Sequence, residues 1–302
     1  METVSQRSRA RASIAIDCVL SGGPAASYPG QVAIDQSRDA EACCSLVACD
    51  PQSPDTIPPP GGIRPRRGDR AADGRLISGA AGGLGSGLVR RAADEGWRLI
   101  LTDRNQERLA ALTADIDPDQ HVAAPCDALN RNDLEALIER GTEKFGSLDA
   151  VVHTVGGFAM GDPVHASDDD TWERMMTLNL KTCRVLSEAV VPVLQRGGGG
   201  RIAFITARAA LEGAATMGPY CASKAALRSM IESMAKELAE DRITVNGVLP
   251  SMIDTPMNRK NMPDADPARW VTPDSLAGVL LFLVSEDARD ISGASIPVYG
   301  RS

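Results

Sequence analysis

An α/β fold with a doubly wound parallel sheet is predicted for residues 74–302 by three observations. Seven short apolar runs alternate with stretches of helical periodicity along this whole segment. The turn after the first run is packed with glycine, and a carboxylate stands at the end of the second run. Such an alternation buries a parallel sheet between two helical layers and places its ligand at the carboxyl ends of the strands. The strand-like runs are 76–77, 98–102, 122–124, 150–154, 201–206, 244–249 and 295–298. The helix candidates between them are 84–95, 105–114, 131–145, 170–195, 220–240 and 273–285. The first run is short and begins abruptly after Asp73-Gly74, which predicts an irregular start.

Residues 1–73 differ in kind. They carry Pro51, Pro54, Pro58 to Pro60 and Pro65, glycine pairs at Gly22-Gly23 and Gly61-Gly62, and no sustained period of 2 or 3.6. This composition reads as a disordered extension before a single 74–302 domain. Arg7, Arg9 and Arg11 precede small residues, but Asp17 interrupts the apolar part, so a targeting peptide is not the preferred reading.

A net charge of −8 argues against nucleic acid or an anionic membrane as partner. No apolar run approaches the roughly 20 residues of a membrane span, the nearest being Leu276 to Val284. Seven cysteines without a CxxC pair suit a reducing compartment and a cytoplasmic protein. Cys43, Cys44 and Cys49 have no nearby histidines, and no metal site is expected.

The glycine-rich turn reads Ser78-Gly79-Ala80-Ala81-Gly82-Gly83-Leu84-Gly85. Glycines allow close backbone approach to a pyrophosphate, and the start of the following helix favours its charge. Asp103 lies eighteen residues past Gly85, where a carboxylate can accept from both ribose hydroxyls and repel a 2′-phosphate. NAD is therefore the expected cofactor. Arg104, next in line, keeps NADP as the alternative.

The second chemical motif is Tyr220-Cys221-Ala222-Ser223-Lys224 at the start of a helical stretch. Positions i and i+4 share a helix face, so the phenol and the ammonium serve one site. An adjacent ammonium is expected to lower the phenol's pKa and make it an acid/base.

Together these motifs resemble the short-chain dehydrogenase/reductases, whose TGxxxGxG and YxxxK patterns match 78–85 and 220–224. The resemblance implies a Rossmann-type fold and an NAD(P)-dependent oxidoreductase acting on a small carbonyl, hydroxyl or conjugated cyclic substrate. It implies Tyr220 as general acid/base, Lys224 as its partner and a grip on the nicotinamide ribose, and Asn179 as holder of a relay water. Asp127 would meet the adenine, Gly156 would keep the place of a glycine in the NNAG segment, and Ile253 and Thr255 would touch the nicotinamide end. A homodimer or homotetramer through the 170–195 and 220–240 helices is implied as well.

Two departures stand out. The NNAG segment reads His153-Thr154-Val155-Gly156, and its histidine is expected to be a packed residue. The serine thirteen residues before the tyrosine is Ala207. Without that oxyanion donor, Thr206 or Arg208 would have to assist substrate binding, although strand period 2 turns Thr206 to the other face. The second half also resembles dihydropteridine reductases, which lack the serine too, through Leu249-Pro250, Asp254 to Lys260 and Gly156 to Gly161. That resemblance implies quinonoid pterin reduction as one alternative; a nucleotide-binding scaffold with weak catalysis is another. Met257 to Trp270 is expected to cover the substrate, with Met257 in contact with it.

Overall fold

The structure, a computed structural model, describes residues 74–301. The extension expected over 1–73 lies outside the described residues. Seven strands form one parallel sheet in the order β3-β2-β1-β4-β5-β6-β7. They are β1 (Gly74–Ser78), β2 (Arg98–Asp103), β3 (His121–Pro125), β4 (Leu148–His153), β5 (Gly200–Ile205), β6 (Ile243–Pro250) and β7 (Ser295–Val298). The order reverses between β1 and β4, which opens the crevice where a ligand of such a sheet is held. The irregular start of β1 appears as a register shift against β4 between Gly74 and Arg75.

Helices cover both faces because consecutive strand residues point to opposite sides. One core joins Leu76, Val151, Ile202 and Phe204 to α3 (Arg131–Phe145), α5 (Thr182–Gly197) and α6 (Gly218–Glu237). The other joins their neighbours Ile77, Val152, Ala203 and Ile205 to α1 (Gly85–Asp94), α2 (Gln106–Thr113) and α8 (Pro273–Leu283).

The helix expected over 170–195 is not continuous. It consists of α4 (Asp169–Met176), a π-helical segment (Thr177–Lys181) and α5. A second difference lies in 257–270, where the prolines predict loop. Pro256 instead occupies the first turn of a short helix, α7 (Pro256–Asn261), and the Thr255 hydroxyl caps it by accepting from Asn258 N at 3.2 Å. No helix is long and apolar enough to cross a membrane among the described residues.

Candidate active site

The glycine turn closes over the ends of β1 and β2. Gly79 and Ala80 amides both donate to the Thr102 carbonyl at 2.9 Å. Gly79 has φ +78°, and a Cβ there would lie 2.7 Å from Thr154 Oγ1. A Cβ on Gly85 would lie 2.1 Å from the Gly79 carbonyl oxygen, so the backbone folds on itself too tightly for any side chain. α1 then starts at Gly85 behind Leu84, with no side-chain cap and no acid in its first turn. A cradle shaped by absent side chains, opening on an uncapped helix start, fits a dinucleotide pyrophosphate.

Ser78 is buried, and its carbonyl accepts from the Thr154 amide at 2.9 Å and hydroxyl at 3.0 Å. Thr154 also reaches the Gly79 carbonyl at 3.0 Å. This residue, which motif reading treats only as a lost amide, ties β4 to the cradle through its hydroxyl. Asp103 at the end of β2 accepts from Ala81 N at 3.1 Å and Asn105 N at 3.0 Å. Its carboxylate is fixed against the glycine turn, with Arg104 exposed beside it. Asp127 follows β3, and its carboxylate accepts from Leu129 N at 3.0 Å.

Tyr220 and Lys224 stand one turn apart near the start of α6. The Lys224 ammonium is buried and donates to the Ile205 carbonyl at 2.8 Å. Burial pushes its pKa down to about 8, with Cys183 partly countering. Burial pushes the Tyr220 phenol up to about 12. The expected lowering of the phenol by lysine is therefore corrected. Desolvation dominates, and the ammonium is directed at β5 rather than at the phenol.

Asn179 lies fully buried in the π segment. Its Oδ1 accepts from Gly157 N at 2.8 Å, and its Nδ2 donates to the Gly157 carbonyl at 3.1 Å and to Ser223 Oγ at 2.9 Å. A Cβ on Gly156 would meet Asn179 Oδ1 at 3.0 Å and Lys224 Nζ at 3.3 Å, so a side chain there would press on both. π segments inside helices recur at functional sites. Ser223, which the motif reading does not single out, donates to the Tyr220 carbonyl at 2.8 Å and so joins the two halves of the cluster.

His153 is buried, with its ring edge on Phe204. The Thr182 hydroxyl gives its single proton to the Leu178 carbonyl at 2.8 Å, so it accepts from His153 Nε2 at 3.2 Å. Burial and nearby Lys224 hold the imidazole down to about 3, a packed neutral ring.

On the substrate side, Ala207 is 6% exposed and presents only a methyl group. Thr206 cannot replace the serine. It is 1% exposed, and its hydroxyl donates to the Val248 carbonyl at 3.0 Å on the far side of the strand. Arg208 is exposed, and its guanidinium carbon lies 5.7 Å from the Tyr299 ring centre. Phe158 packs edge-on against Tyr220, with ring centres 5.0 Å apart. Ile253 bridges to Val271, closing the base of the 251–271 excursion. Thr255 leans over the cradle, its Cγ2 3.2 Å from where a Gly83 Cβ would be. Met257 stands 64% exposed on α7.

A cavity of about 440 Å³ lies instead at the amino-terminal edge of the sheet, between Gly200, Arg201, Arg242, Ile243 and Glu286. No cluster of metal-ligating residues occurs among the described residues.

The comparisons agree with this geometry. A 3beta-hydroxysteroid dehydrogenase of Mediterraneibacter gnavus is 28% identical over 252 residues, covering 73% of this chain and 91% of the relative. Galactitol 2-dehydrogenase of Agrobacterium fabrum is 30% identical over 247 residues, covering 74% and 95%. The crystal structure of carveol dehydrogenase from Mycobacterium avium in complex with NAD superposes with a TM-score of 0.70 at 28% identity, covering 77% of this chain and 98% of that one. The family profile described as short chain dehydrogenase matches residues 75–266. With cradle, sheet and matches in agreement, the chain belongs to the short-chain dehydrogenase/reductase family of NAD(P)-dependent oxidoreductases.

Proposed function

We propose that Tyr220 is the proton donor and acceptor of an oxidoreductase that interconverts a ketone and a secondary alcohol, with NAD preferred over NADP. The observation carrying this reading is the single cluster of Tyr220, Lys224, Asn179 and Gly156 at the carboxyl edge beside the β1/β4 crevice. The glycine cradle, Asp103, Asp127, Ile253 and Thr255 would hold the dinucleotide, whose nicotinamide supplies or accepts the hydride when bound. Tyr220 supplies or accepts the matching proton, so that one hydride and one proton balance each turnover. Lys224, whose ammonium is held on the Ile205 carbonyl, would grip the nicotinamide ribose, and Asn179 holds the 156–157 backbone beside it. Asp103, fixed by two backbone amides, meets a ribose and repels a 2′-phosphate. Tyr220→Phe is expected to abolish turnover while dinucleotide binding, followed by NADH fluorescence, persists. Turnover within tenfold of wild type would refute the role.

Ala207 favours a second reading within the same chemistry. With a methyl group where an oxyanion donor is usual, a conjugated ring such as a quinonoid pterin loses less than a simple ketone does. Loss of one donor costs on the order of 10²-fold in rate. Ala207→Ser should then raise ketone reduction and leave pterin reduction unchanged; equal effects on both would exclude this reading.

A further inference from the structure

Eight large apolar residues are exposed among the described residues, and six of them lie on three connections. Phe158, Met160 and Val164 follow β4, Leu211 follows β5, and Met257 and Met262 follow β6. The sheet is parallel, so all three connections rise from the same edge, at which Tyr220 stands near the start of α6. Contacts tie the first two together: Gly161 N donates to the Thr216 carbonyl at 2.9 Å, and Val164 sits 2.4 Å from where a Gly218 Cβ would be. Phe158 stays 57% exposed although one edge rests on Tyr220. Two cations on these connections are held by protein groups, Arg208 over Tyr299 and Arg259 in a two-pronged pair with Asp254 at 2.6 and 2.8 Å. Lys260 is exposed on α7.

We infer that this rim selects an uncharged cyclic ketone or secondary alcohol with an extended apolar body, and that Phe158 and Met257 determine that specificity. The inference rests on the oxidoreductase reading above. Scattered apolar residues on a surface carry no message, whereas a concentration around a reacting group does. Arg208 and Arg259 are engaged by Tyr299 and Asp254, the β5 end offers Ala207, and Tyr220 brings the hydroxyl. A substrate with one reacting oxygen and a hydrocarbon remainder matches Phe158, Met257 and Ala207. A polyol or a hydroxy acid would leave its further polar groups facing methionine and phenylalanine.

The test is steady-state reduction of cyclohexanone and a series of 4-alkyl cyclohexanones, beside dihydroxyacetone and pyruvate, with NADH and with NADPH. kcat/KM is expected to rise about fourfold per added methylene, mainly through KM, as burial of each methylene implies. The Phe158→Ser, Met257→Ser double variant should flatten that slope. Calorimetry with an unreactive alkylcyclohexane should show a negative heat-capacity change on binding, lost in the double variant. Turnover with a flat slope, or a preference for dihydroxyacetone or pyruvate, would overturn the apolar class and leave the oxidoreductase reading standing. No turnover across the series in either direction would overturn both.

Discussion

Replacing Asn179 by alanine separates a chemical role for this side chain from a positioning one. The amide makes three strong hydrogen bonds, two to Gly157 and one to Ser223, and a weak one to the Met175 sulfur at 3.8 Å. Ser223 is fully buried and would keep a polar atom short of one partner, whereas Gly157 is half-buried and can recover some bonding from water. Counting about 1 kcal/mol for each lost strong bond gives a destabilisation of about 3 kcal/mol. For a domain of this size that lowers the melting temperature by about 6–12 °C. Ser223→Ala removes one of these three bonds and also the Ser223–Tyr220 bond, and should cost about 4–8 °C. Activity should fall at least tenfold in Asn179→Ala, because Gly156 and Phe158 flank the released residue and both adjoin the reacting pair. Differential scanning fluorimetry and initial rates on the same preparations decide the matter. A melting temperature within 1 °C of wild type together with lost turnover would refute the clamp and make the amide a direct participant in chemistry.

Four further outcomes follow from the local structure. Gly85→Ala should lower the melting temperature by several degrees and weaken NADH binding at least tenfold, since its Cβ would lie 2.1 Å from a backbone oxygen. Gly213→Ala, which has nothing within 4 Å, should leave stability within 0.5 kcal/mol by urea unfolding, a limit typical of unconstrained surface sites. Asp103→Ala should narrow the ratio of NADPH to NADH dissociation constants at least tenfold; an unchanged ratio would remove Asp103 from cofactor choice. His153 is held at about 3 against an ordinary 6.5, so the unfolded chain binds its proton first, and the stability present above pH 6.5 is lost as pH falls toward 3. Between pH 6.5 and 4.5 this one group should contribute a loss of about 2 kcal/mol. His153→Gln, which removes the titration, should show a correspondingly shallower acid dependence.

The strands and most helices were legible because periods 2 and 3.6 record which face is buried, and Leu76-Ile77, Val151-Val152 and Ile202-Ala203 feed the two cores in turn. The π segment was not legible. Val185, Leu186, Ala189 and Val190 keep ordinary helical spacing beyond it, and the Asn179 bonds that accompany the extra residue reach Gly157 and Ser223, 22 and 44 positions away. α7 left a readable signal in Thr255-Pro256, a cap followed by a first-turn proline, but the prolines on either side of Asp264 obscured it. The direction of the Lys224 ammonium was invisible for a simpler reason. Its acceptor is a backbone carbonyl nineteen residues back, and any residue at 205 would provide one.

That carbonyl changes what the tyrosine–lysine pair means. Spacing on a helix face suggests a lysine that ionises a phenol, yet the same burial that brings the two together penalises both charged forms. The phenol rises to about 12 and the ammonium falls to about 8, so burial moves the two apart and holds the phenol in its neutral form. At pH 7 the pair stands as phenol and ammonium, a loaded proton donor. In the proposed reaction that phenol is the proton donor for reduction, and Ala207 places no polar neighbour beside it.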